Sequence, residues 1–155
     1  MAFAWFTVVE SFRLGDRSKH ENDSEIVDWK TFAGAFICNV KIQAAEETYV
    51  NVDAFPLLYE FMNSTFCLRE PKEISVVVGE GWCISGTPND GSVNLRIDWD
   101  DQAALVQRRM SLSEVSLFIS LKISEIVSSL EKIDVDVEYY LSRFPPHLYT
   151  RGLSS

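Results

Sequence analysis

The chain has 155 residues, 46% of them apolar, with ten Phe and four Trp, and its formal charge is −9. That length and apolar content predict one α+β domain over 1–155 and exclude both a disordered chain and one that needs disulfide staples. The acidity argues against a general electrostatic footprint on nucleic acid, because phosphate contacts require the opposite sign.

Taken in chain order, MAFAWFTVVE lacks a basic n-region and a small-residue cleavage site, and Glu10 breaks its apolar run. It reads as a first strand, not a signal peptide. No apolar run in the sequence approaches the roughly 20 residues of a membrane-spanning helix. GDRSKHENDSE, residues 15–25, is polar and aperiodic, as a loop is. GAFICNVKIQ then alternates, with Phe36, Cys38, Val40 and Ile42 on one face and Ile37, Asn39 and Lys41 on the other. Glu46 and Glu47 form a turn, and TYVNV returns as the partner strand.

Asp53 opens a short helix, DAFPLLYEFMNS, whose Pro56 falls in the first turn, where a missing N–H costs little. Phe55, Leu58, Tyr59 and Met62 share one face, the pattern of a helix lying on a sheet. From Glu73 the sequence becomes a four-strand meander: EISVVVG, a GEG turn, WCIS, the turn-rich TPNDGS, VNLRIDW and AALVQRR. In VNLRIDW, Val93, Leu95, Ile97 and Trp99 alternate with Asn94, Arg96 and Asp98, so Trp99 is expected in the core.

RIDWDDQ sets Asp98, Asp100 and Asp101 around Trp99, with Arg96 just upstream. Asp100 and Asp101 fall where a hairpin turn belongs, and aspartate suits turns because its carboxylate bonds nearby amides. The stretch lacks the Gly and the distant Glu of a calcium loop. A turn is the better account than a metal site.

SLSEVSLFISLKISEIVSSLEKI is the clearest element. Ser111 and Glu114 have capping-box spacing. Leu112, Val115, Phe118, Ile119, Ile123, Ile126, Val127 and Leu130 form one stripe, while Ser113, Lys122, Glu125, Ser129 and Lys132 fill much of the other face. This predicts a helix of about five turns covering one face of an antiparallel sheet of about six strands, the hairpin plus the meander. VDVEYYLSRF is a second, short helix with acids near its start, ended by Pro145 and Pro146.

The three cysteines, Cys38, Cys67 and Cys83, include no C-x-x-C pair and sit among apolar neighbours, as packed reduced thiols do. That usage predicts a reducing, cytoplasmic setting. His20 lies in the polar loop and His147 near the C-terminus, so no cysteine has an evident base. There is no G-x-x-x-x-G-K, G-x-G-x-x-G or H-E-x-x-H. The expectation is a non-catalytic protein with no metal and no cofactor.

Charge is the remaining signal. Residues 44 to 101 hold eleven acids against three bases, −8 of the net −9. Such a segment attracts a basic protein surface, although solubility accounts better for any single carboxylate. From about residue 34 to 130 the succession of paired strands, short helix at DAFPLLYEFM, meander through GWCISG and VNLRIDW, and long helix opened by MSLSEV resembles small bacterial α+β immunity proteins of contact-dependent and other polymorphic toxin systems. The resemblance implies a protein that binds and neutralises a toxin domain. The resemblance carries no residue over; the acidic segment and its predicted turns give the candidate contacts Glu46, Glu47, Glu80, Asp98, Asp100 and Asp101, with Trp99 as the anchor if it faces outward. The expected partner is a basic protein, with neither nucleic acid nor membrane involved, and the free chain is expected to be a monomer or weak dimer. Two other readings stand beside it: a small-molecule-binding or enzymatic domain with Arg96, Asp98, Gln107 and Arg109 on the polar face of the sheet, and a homo-oligomeric structural subunit.

Overall fold

A computed structural model describes residues 3–14, 29–44, 46–67, 73–100 and 106–149. The expected loop at 15–25, with His20, and the carboxylate of Asp101 lie outside the described residues, as does the side chain of Cys67.

The fold is α+β, as the alternation of patterns predicts, and its strands divide between two antiparallel sheets. The first orders β1 (Phe6–Arg13), β2 (Phe36–Gln43) and β3 (Glu47–Asp53) side by side, with β2 in the middle. The second contains β4 (Ile74–Gly79), β5 (Trp82–Gly86), the two-residue β6 (Pro88–Asn89), β7 (Ser92–Trp99) and β8 (Val106–Ser111). β5 and β6 both pair with one side of the hairpin strand β7, and β8 also pairs β7, so this sheet is the expected meander with one strand interrupted at Thr87. A one-turn helix α1 (Trp29–Ala33), not anticipated from the sequence, precedes β2.

Helices α2 (Ala54–Cys67) and α3 (Leu112–Glu131) pack on each other, α2 against β4 and α3 against β1. The α3 start is the full capping box: Ser111 Oγ accepts from the Glu114 amide, and Glu114 Oε1 accepts from the Ser111 amide, both at 3.1 Å. α4 (Val137–Arg143) begins at Asp136, whose carboxylate accepts the Tyr139 amide at 3.1 Å. The alternating residues of β2 and β7 and the stripe of α3 meet in one continuous core. Phe32 stacks on Phe144 with ring centroids 4.4 Å apart, and Tyr59 Oη donates to the Phe144 carbonyl at 2.6 Å, which ties the C-terminal segment to α1 and α2.

Three positions depart from the pattern. Lys122 and Ser129, expected on the polar face of α3, are buried, Lys122 to 1% exposure. The reason is β1, which packs on that flank of α3: Ser129 Oγ lies 2.6 Å from Ser11 Oγ, and the Lys122 ammonium pairs with Glu125 at 3.1 Å. Burial lowers the Lys122 pKa, while Glu125 acts in the opposite direction. Glu60, counted with the acidic segment, is also buried, and its carboxylate accepts the Val77 amide of β4.

Candidate functional site

The β4–β5 turn and the ends of β7 and β3 converge at one tip of the molecule. The β4–β5 turn is the two-residue loop Glu80–Gly81, with φ of 53° and 87°. Positive φ at both positions gives the twist that suits a tight hairpin. Glycine takes that conformation freely, whereas a glutamate there is strained. At the end of β7, Asp100 also has positive φ, 45°, and its amide donates to the Gly81 carbonyl at 3.0 Å. A Cβ at Gly81 would collide with the Asp100 carboxylate, which would have to move aside.

Trp99 corrects the sequence expectation. It keeps the inward face that alternation assigns and is the register partner of Trp82. As the last residue of β7, however, it extends past the closed part of the core and stays 38% exposed, while Trp82 is 7% exposed. Its ring stacks on Trp82 at 5.9 Å and 26°, and Nε1 donates to the Glu80 carbonyl at 3.2 Å. Alternation reports which face a residue occupies, not where the cover on that face ends.

Asp53, at the end of β3, belongs to the same tip, since Val52 lies against Gly79: a Cβ on Gly79 would be 3.0 Å from Val52 Cγ1. The gap between these two strands is an open cleft of about 300 Å³, lined by Ile37, Asn51, Asp53, Val77, Glu80 and Tyr149 among others. Partial burial raises the Asp53 pKa above its ordinary 3.8, and the negative charge of Glu80 adds to the rise. Sequence reasoning read Asp53 only as a helix start; its one available signal was that β3 ends on a carboxylate.

The predicted contacts therefore separate. Glu80, Trp99 and Asp100 come together with Asp53. Asp98 sits on the opposite face of β7 and pairs with Arg96 at 3.4 Å. Glu46 and Glu47 are exposed at the β2–β3 turn, where Glu47 pairs with Lys41 at 3.5 Å. That turn is the other end of β3, roughly 20 Å from Asp53 at the rise of an extended strand. The polar face proposed for a small-molecule site is real in register, with Arg96 opposite Gln107 and Asn94 opposite Arg109.

Among the other chemistry-bearing groups, burial pushes the Cys38 thiol up to about 12, so it is protonated at neutral pH. Cys83 is half-buried and His147 exposed. Among the described residues no three His, Cys, Asp or Glu side chains gather as metal ligands, and no described helix is long and apolar enough to cross a membrane. No protein-family model, curated protein or solved structure matches the chain.

Proposed function

We propose that the chain is a non-catalytic, cytoplasmic protein-binding domain whose acidic tip docks on a basic protein, a cognate toxin domain that it neutralises as an immunity protein does. The observation that carries this reading is Trp99, a half-exposed tryptophan held in place by Trp82 and the Glu80 carbonyl beside the carboxylates of Glu80 and Asp100. Tryptophan is a favoured interface anchor, and one already immobilised loses little freedom on binding. Surrounding exposed carboxylates act mainly by steering the partner inward.

The test is titration with the protein encoded by the adjacent reading frame, at low and high salt. Glu80→Gln with Asp98→Asn and Asp100→Asn should slow association, with the difference shrinking as salt rises. Trp99→Ala should speed dissociation, with a loss of about 2 kcal/mol or more. Tight binding indifferent to salt and to all these changes would refute the reading.

A second reading, a small-molecule or catalytic domain on the sheet's polar face, draws support from the shared face of Arg96, Asp98 and Gln107. Arg96 is already engaged by Asp98 and Ser85 there, which leaves the exposed tryptophan unexplained and places this reading second.

A further inference from the structure

We propose that the cleft between β3 and β4 receives a single arginine side chain of the protein partner, its guanidinium held between Asp53 and Glu80. This deepens the interface reading above and rests on it. The two carboxylates alone would mark no site; the walled cleft beside them supplies the shape.

A cavity of about 300 Å³ is at the small end of ligand sites, a size suited to one side chain. Its walls include Ile37, Val52 and Val77, against which an aliphatic stem can lie. Val77, the middle of three valines, lies on the face opposite the buried Val76 and Val78, is 39% exposed and lines this gap. At the rim stand two like charges with no cation between them in the described residues. Asp53 is harder to ionise there, chiefly through desolvation and then through Glu80. A guanidinium removes both penalties at once, since it brings the opposite charge and replaces water as hydrogen-bond donor. Its planar fork reaches two acceptors in a way that an ammonium does not. Gly79 lets β4 approach β3 at this point, because a side chain there would press on Val52.

The experiment is an NMR titration of the ¹⁵N-labelled protein with Nα-acetyl-arginine amide, and separately with Nα-acetyl-citrulline amide, its neutral isostere. Saturable shifts at the amides of Asn51, Val77, Gly79 and Glu80 with arginine, and not with citrulline, are expected. Asp53→Asn with Glu80→Gln should weaken the arginine titration at least about tenfold, equivalent to ~1.4 kcal/mol. Asp90→Asn, in the turn before β7 and at the far end of that strand from Trp99, should leave it unchanged. Equal response to citrulline, shifts scattered over the surface without saturation, or indifference to the Asp53 and Glu80 changes would overturn the proposal. The two readings fail separately. A chain whose binding to the adjacent-gene protein is weakened by Trp99→Ala but untouched by Asp53→Asn keeps the interface and loses the arginine. One that binds arginine amide in the cleft but never that protein loses the interface.

Discussion

The Val77 amide donates to the Glu60 carboxylate at 2.7 Å, so β4, paired with β5 on one edge, is met on its outer edge by a side chain from α2. The first sheet repeats the device, for the Val8 amide of β1 donates to Glu125 of α3 at 3.1 Å. In each case a helix glutamate satisfies an edge N–H that would otherwise be buried without a partner or offered to a foreign strand. Glu60→Ala should therefore destabilise by about 1–3 kcal/mol, while Glu60→Gln, which retains an acceptor oxygen, should recover part of the loss. Denaturant unfolding of the two variants checks this, and equal stability would show that the bond is dispensable.

Glu125 also carries the buried Lys122, which sets up a coupling. Lys122→Met leaves a partly buried carboxylate without its cation and should cost about 3–5 kcal/mol. Lys122→Met combined with Glu125→Gln should cost less than the sum of the single changes, since no lone charge then remains in the interior. Additive losses in a double-mutant cycle would place the pair in solvent.

Asp53 makes stability depend on pH in a fixed direction. Its folded pKa is raised above 3.8, so the folded chain holds this proton more tightly than the unfolded chain does. Its contribution is favourable at low pH and is lost as pH rises through the folded value. Asp53→Asn should accordingly be more stable than the parent at neutral pH, with the advantage fading as pH falls towards 3.8. Thermal unfolding from pH 3 to 7 would measure it; a variant less stable throughout would contradict the sign.

The strained turn predicts an exchange between stability and binding. Glu80 has φ of 53°, a conformation that asparagine tolerates better. Glu80→Asn should raise stability by up to about 1 kcal/mol and should slow association with a basic partner. Destabilisation, or unchanged association, would remove the argument that the glutamate is held there for its charge.

Local pattern by itself determined the α+β class, the meander, the capping box of α3 and the greater part of the core. Each follows from side-chain period and backbone chemistry within a few residues. Ser111 and Glu114, for example, are three positions apart and need nothing else to find each other. Tertiary structure alone decided the division into two sheets, the burial of Lys122 and Glu60, the half-exposure of Trp99 and the meeting of Asp53 with Glu80. Those outcomes depend on where one element ends against another. Trp99 has the alternation of a core residue, yet lies one position beyond the closed part of its sheet. Asp53 and Glu80 are brought to one cleft only because α2 returns the chain so that Gly79 meets Val52. Periodicity encodes direction relative to a strand or helix axis, whereas burial and charge coupling depend on distances between segments that no local pattern contains.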